Sequence, residues 1–382
     1  MIIRSKNNCR NVAGEKMNNK NVIYKKALLL AVPMMVQNGI TNAVSLVDNL
    51  MVGRLGTESM TAVSIAGQLI FVFNLAIFGG ISGPGIYGAQ YYGQGNKKGF
   101  QDIFRLKLWI CTLCALVGIA IFIFGGSRLL SLYLHGTSVD IDAELTLEYG
   151  LQYLYIMLFG LIPFSITQVY ASSLRETGES MKPMIAGVAS VVIDVIFNYF
   201  LIYGKFGFPR LGVRGAAIAT VLARVVEMAI VIVWSHAKKE EHTFLKGIYR
   251  TLKIPLRDMK IVIRKGIPIF ANEFLWAGGI AVLTQCYSIR GLQVVAGLNI
   301  SNAICNLLNV VFVAMGNAVG ILIGQYLGAS KFEEAKKYSM KLMWFTGVMC
   351  LLLTGILILC SKGFPELYDT TPEVKNLGRW FI

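Results

Sequence analysis

Nine stretches of this chain, at about 26–52, 58–92, 100–126, 145–173, 182–204, 212–236, 264–289, 294–328 and 333–361, read as apolar helices. Each is longer than the roughly 20 residues that carry a helix across a hydrocarbon core. A tenth begins at the C-terminus. With 55% hydrophobic residues and only 15% charged ones, the chain is too apolar for a soluble domain of its length. A lipid-spanning backbone must satisfy its own polar groups, so the expected class is an all-α polytopic membrane protein. Several stretches exceed about 25 residues, and tilts, kinks or projection beyond the lipid are expected there. Residues 1–24 are polar, rich in Asn and Lys, and lack the apolar run of a cleavable signal peptide. The first spanning helix is expected to direct insertion.

The chain also repeats itself. Counting 235 residues on from Pro33 reaches Pro268, and the same step takes Gly56 to Gly291, Asn74 to Asn309, Gly85 to Gly320 and Gln90 to Gln325. It takes Tyr91 to Tyr326, Gly93 to Gly328, Trp109 to Trp344 and Tyr133 to Tyr368. A gapless constant offset over that length marks an internal duplication. Six helices separate the two copies of the first helix, so both enter the membrane in the same sense. The copies are therefore parallel repeats, related by an axis along the membrane normal. The expected organisation is an N-terminal segment (1–24), a six-helix N-lobe (25–236), a basic amphipathic connector (237–263) and a partial C-lobe (264–382). The connector reads as a helix lying on the cytoplasmic membrane surface. The second copy lacks equivalents of helices four to six, so the reading frame is expected to continue beyond Ile382 with three more apolar helices.

The net charge of +15 would suggest nucleic acid in a soluble protein, but its distribution argues for topology. Alternate loops, starting at the N-terminus, hold 7, 4, 2, 9 and 4 Lys or Arg, against nine in all the intervening loops. By the positive-inside rule the N-terminus is cytoplasmic, and the basic face meets anionic lipid rather than nucleic acid. Cys111 and Cys114 form a CxxC inside an apolar helix, without a second pair or nearby histidines, so packing explains them better than redox or zinc chemistry. The segment GAQYYGQGNKKG (88–99) lacks the Gly-Lys-Ser/Thr ending and preceding strand of a phosphate loop. No nucleophile elbow, metal-ligand spacing or paired catalytic carboxylates occur, so no enzyme and no cofactor is expected.

What remains is polar residues at membrane depth. Asp194 and Asn198 stand one turn apart in VVIDVIFNYFLIYG and share a helix face. Asp48, Asn198 and Thr220 each lie about four to eight residues from the outer ends of their helices. These four can meet in the outer half of the first lobe and offer carboxylate, amide and hydroxyl oxygens to a proton or a cation, with Asp48, Asp194 and Asn198 as the ligands of the cation. Their bland readings are an interfacial aspartate for Asp48 and helix–helix hydrogen bonds for Asn198 and Thr220. Glu273 lies about nine residues, roughly 13 Å, inside its helix, and occupies the position of Asn38 in the repeat. Both are candidates for substrate or coupling-ion contact; the bland reading of Glu273 is an ion pair with Lys265 or Lys107. Arg224 is the one arginine clearly within a span; a pair with Glu227 three residues on is expected ahead of its alternative, a substrate contact.

The first helix ending VDNLMVGRLG, the AQYYGQGN turn, the D-x-x-x-N-Y-x-L-I-x-G helix and P-x-L-G-V-x-G-A-A-I-A-T together resemble the multidrug and toxic compound extrusion (MATE) transporters, from about residue 25 onward. The resemblance implies a twelve-helix fold of two six-helix lobes around a cleft. It also implies efflux of cationic amphipathic compounds in exchange for Na⁺ or H⁺. By position, Asp48, Asp194, Asn198 and Thr220 match the family's first-lobe cation site, and Glu273 matches the seventh-helix glutamate of the NorM-type branch. The fifth helix departs from the family's usual order, with aspartate before asparagine. The implied setting is a multi-pass monomer in the cell's inner (plasma) membrane, with small cationic molecules and the bilayer as its partners. The alternative, a lipid-linked oligosaccharide flippase of the same superfamily, would line its cleft with arginines for a diphosphate, where this sequence places carboxylates.

Overall fold

The computed structural model describes residues 22–134, 142–237, 243–251, 253–288, 292–361, 363, 366 and 372–381. Ten α-helices follow one another among them: α1 (Val22–Gly53), α2 (Thr57–Gly93), α3 (Lys97–Leu134), α4 (Ala143–Glu176), α5 (Met181–Tyr203), α6 (Val213–Ala237), α7 (Leu256–Ser288), α8 (Leu292–Gly328), α9 (Phe332–Cys360) and α10 (Pro372–Phe381). Every apolar stretch read from the sequence is a helix, and eight of the described helices are long and apolar enough to cross a membrane. The largest boundary differences are in α3, which continues past Gly125 and Gly126 to Leu134, and α7, which begins at Leu256. Gly126 does not end α3; it lets the side chain of Leu154 on α4 approach, where a Cβ would stand 3.1 Å from a Leu154 methyl carbon.

The helices divide into two compact units. One comprises Val36–Gly88 and Asn96–Glu273; the other comprises residues up to Met35, Ala89–Gly95 and Phe274 onward. In the first unit α6 packs against α4 and α5, and α3 against α4. The small residues of RGAAIAT allow this: Gly215, Ala216, Ala217 and Ala219 are all buried, against a core that includes Leu154, Leu161 and Ile202. Asp142 starts α4, accepting from the backbone N–H of Glu144 and Leu145 at 3.0 and 3.1 Å, which satisfies amides that a helix start leaves unpaired.

In the second unit the start of α1 packs along α8. Ile23, Ala27, Leu30, Ala31 and Met34 form one buried cluster with Ala314, Met315, Ala318, Leu322 and Leu342. The end of α2 crosses the end of α8 so tightly that a Cβ on Gly93 would fall on the carbonyl of Gln325, with its carbon 2.7 Å away. A Cβ on Gly328 would fall on the carbonyl of Gln90, whose carbon would be 2.6 Å away. These are the residues that the 235-residue step superimposes. Reciprocal contact, in which i meets j′ and j meets i′, is what a two-fold axis between repeats produces. The α2–α7 contacts of the first unit obey the same rule: Gly79 meets Phe270 and Gly83 meets Gly266. Their counterparts Ala314, Met35, Ala318 and Ala31 all belong to the α1–α8 cluster or pack on it. The parallel-repeat architecture is thus built into the packing.

The connector is not the continuous surface helix expected from its amphipathic pattern. Among its described residues Thr243–Leu245 form one short 3₁₀ turn, turns and a bend follow over 246–250, and helix begins only at Leu256. The reason is capture of its backbone by α3. Gln101 Nε2 donates to the carbonyls of Phe244 and Lys246 at 2.9 and 3.0 Å, and Arg105 Nε donates to that of Ile248 at 2.9 Å. Carbonyls so engaged are unavailable to a helix, and Phe244, Leu245 and Ile248 are buried. Gly247, at φ 78°, supplies the left-handed turn between them.

Candidate functional site

Three helices bring the four sequence-derived polar residues together. Asp48 stands about 8 Å before the end of α1, Asn198 about 8 Å before the end of α5, and Thr220 about 10 Å into α6. The ends of α1 and α5 and the start of α6 therefore hold them at similar depth. Asn198 Nδ2 donates to Asp48 Oδ1 at 2.8 Å. The Asp48 and Asp194 carboxyl groups interact with each other, and Asp194 with Thr220. Thr220 also donates to the carbonyl of Ala216 at 3.1 Å, which fixes its hydroxyl on the face shared with Arg224. Asp194 is 7% exposed and Asn198 1%. The carboxylate of Asp48 is therefore not an isolated interfacial group; it is the acceptor of a buried amide.

This cluster has surplus acceptors. Among the described residues, Asp194 Oδ1 and Asn198 Oδ1 are buried without a hydrogen-bond partner. Orphaned buried oxygens of this kind are costly unless something donates to them or coordinates to them. A proton or a hard monovalent cation meets that need, since oxygen ligands suit such ions. Among the described residues no three His, Cys, Asp or Glu side chains gather as a metal-binding group; the donor set here is mixed, with amide and hydroxyl oxygens beside two carboxyl groups.

Two further residues join the cluster. Tyr153 of α4, 9% exposed, interacts with Thr220, Asp194, Asp48 and Arg224. Arg224 interacts electrostatically with Asp194, Tyr153 and Glu227. The expected Arg224–Glu227 pair is not a direct bridge: Arg224 Nη1 donates to the carbonyl of Gly160 at 3.4 Å, and its guanidinium lies 5.0 Å from the Phe164 ring centre. Tyr153 left no signal in the sequence, because a tyrosine in an apolar helix is ordinary.

Glu273 and Asn38 stand outside the cluster, both partly exposed, with no hydrogen bond to it among the described residues. One of the two basic residues considered as a structural partner of Glu273 is already engaged. Lys107, fully buried, is ion-paired with Glu176 and donates to Ser172 at 3.1 Å and Ser173 at 3.4 Å. Gly85 and Gly88 of α2 make room for that carboxylate: a Cβ on Gly88 would be 2.9 Å from its carbon. This pair was missed in the sequence. The signal for it is the repeat itself, since Lys107 corresponds to Leu342, which is buried in the other unit.

Ionisable groups buried among long apolar helices, in a chain built from parallel repeats, define a polytopic membrane transporter. The MatE family model matches residues 33–200 and 268–382, and the chain belongs to that family of multidrug efflux transporters. It is 25% identical over 363 residues to the probable multidrug resistance protein NorM of Thermotoga maritima, covering 94% of this chain and 75% of that protein. It is 27% identical over 356 residues to the probable multidrug resistance protein YoeA of Bacillus subtilis, with 93% and 75% covered. Among solved structures, a multidrug resistance MATE family transporter in an outward-facing conformation superposes with a TM-score of 0.81 at 18% identity, over 98% of this chain and 79% of that one. A transporter of the same superfamily from Pyrococcus furiosus gives 0.79 at 19%, over 98% and 78%.

Proposed function

We propose that the chain is a secondary active antiporter that expels cationic amphipathic compounds in exchange for Na⁺ or H⁺, with its N-terminus cytoplasmic in the plasma (inner) membrane. Asp48, Asp194, Asn198 and Thr220 form the coupling-ion site, and Glu273, with Asn38, contacts substrate or ion. The observation that carries this reading is the Asn198–Asp48 hydrogen bond beside Asp194, with two buried oxygens left unpartnered. Two carboxylates in one low-dielectric site are stable together only when a proton or cation joins them. Ion arrival and departure therefore change the energy of the lobe, and alternating access converts that change into export. No chemistry on the substrate is needed.

The test is efflux of ethidium from cells expressing the protein. Asp48→Asn keeps the shape and most hydrogen bonding of the site but removes one of its charges. Efflux is expected to fall to the level of cells without the transporter while membrane expression stays within about twofold. Full efflux by the variant would return Asp48 to a structural role.

A further inference from the structure

The interior of the first unit holds more charge than the ion site uses. Arg224 follows Thr220 by one helical turn and projects from the same face of α6. At about 16 Å into the helix, a permanently charged guanidinium needs a reason to be there. Its surroundings are built for it. Gly160 on α4 leaves space, since a Cβ there would lie 3.2 Å from Arg224 Cδ, and the Gly160 carbonyl accepts from Nη1 at 3.4 Å. The Phe164 ring, one turn along α4, lies beneath the guanidinium at 5.0 Å. Its electrostatic partners are Tyr153, Glu227 and Asp194. Glu227 is shared with Arg175, whose Nη2 donates to Gln37 Oε1 at 3.0 Å.

These groups can be counted as a set. Lys107 and Glu176 neutralise each other. Glu227 interacts electrostatically with both Arg175 and Arg224, so it balances one of them. The other is left to face the two aspartates. With Asp48 and Asp194 ionised, the set carries one uncompensated negative charge.

We infer that Arg224 is a fixed internal counter-cation that holds the Asp48–Asp194 site at a single excess negative charge, so that it takes one monovalent cation and rejects divalent ones. This rests on the reading of that cluster as the coupling-ion site. Arg224 acts as a positioning and selectivity residue: it lends its charge to the site without being displaced by the ion, because the Gly160 carbonyl and the Phe164 ring keep it on its own side of Asp194. Removing the charge leaves two uncompensated carboxylates, an arrangement suited to Ca²⁺ or to two monovalent ions. Arginine is preferable to lysine for this duty, since its charge persists in an apolar setting.

The experiment measures equilibrium binding of ²²Na⁺ and ⁴⁵Ca²⁺ to the purified full chain in detergent at mildly alkaline pH, where protons compete least. The wild type is expected to bind one Na⁺ per chain and no Ca²⁺. Arg224→Gln is expected to gain one Ca²⁺ per chain and to lose it again when Asp194→Asn is added. Should Arg224→Gln fail to fold, Asn198→Asp raises the excess charge to two without touching Arg224 and should also gain Ca²⁺. A folded Arg224→Gln protein that still excludes Ca²⁺, or a wild type that itself binds Ca²⁺, overturns the inference and leaves the ion site standing. A wild type that binds no Na⁺ overturns the inference and leaves a proton-coupled site standing; Na⁺ binding that survives Asp48→Asn combined with Asp194→Asn overturns the ion-site reading and this inference with it.

Discussion

Alanine at Gly93 or Gly328 tests the repeat packing most sharply. At Gly93 a methyl group would meet the Gln325 carbonyl carbon at 2.7 Å, where ordinary contact begins near 3.4 Å. The obstacle is backbone, which cannot swing aside, so α2 and α8 must separate by about 0.7 Å or more. Overpacking of this kind costs about 1–3 kcal/mol. Gly328→Ala meets the Gln90 carbonyl in the same way, across the same helix crossing. The two substitutions therefore demand the same separation. Once one is present, the gap for the other already exists, and the double variant should cost little more than either single one. A double-mutant cycle would then show an interaction energy of about 1 kcal/mol or more, well above the ~0.5 kcal/mol scatter of independent sites. The assay is the thermal midpoint of detergent-extracted protein, read by size-exclusion recovery, for the wild type, both singles and the double. Strict additivity, or singles as stable as the wild type, would refute the shared crossing.

Further outcomes follow from particular residues. Glu176→Gln leaves Lys107 buried without a counter-charge and should destabilise the folded protein by about 3–5 kcal/mol, with partial recovery in Glu176→Gln/Lys107→Met; equal expression of single and double variants would contradict the pair's role. Ser330 has φ 58° where its repeat counterpart Gly95 has φ 71°, so Ser330→Gly should raise stability by about 0.5–1 kcal/mol, measured by the same thermal midpoint. Glu273→Gln should impair efflux and weaken binding of cationic compounds more than neutral ones, while leaving the thermal midpoint near that of the wild type. Lost stability with intact binding would make Glu273 a structural residue.

The helices were legible because hydropathy reports directly on membrane-length segments, and the duplication was legible because it left identical residues at a fixed step. Gln90, Gly93, Gln325 and Gly328 stood out as matches before their mutual contact was visible. Asp48, Asp194, Asn198 and Thr220 could be grouped by helix depth alone, since charge and amide groups are rare at such positions. The connector was misread because amphipathicity describes one segment, whereas Gln101 and Arg105 take its carbonyls from more than a hundred residues away in sequence. Arg224 was assigned to its nearest carboxylate in sequence, Glu227, but a neighbouring helix supplied a carbonyl and a ring instead. Tyr153 could not be found, because nothing in its local pattern distinguishes a site tyrosine from a packed one.

The central claim is that the buried Asp48–Asp194 cluster couples ion movement to export. Its most direct test reconstitutes the protein in liposomes and imposes Na⁺ and pH gradients one at a time, following a fluorescent cation across the membrane. The account predicts uphill movement of the cation driven by at least one of the two gradients, and abolished in Asp194→Asn. Uphill movement that persists in that variant, or movement indifferent to both gradients, would contradict it.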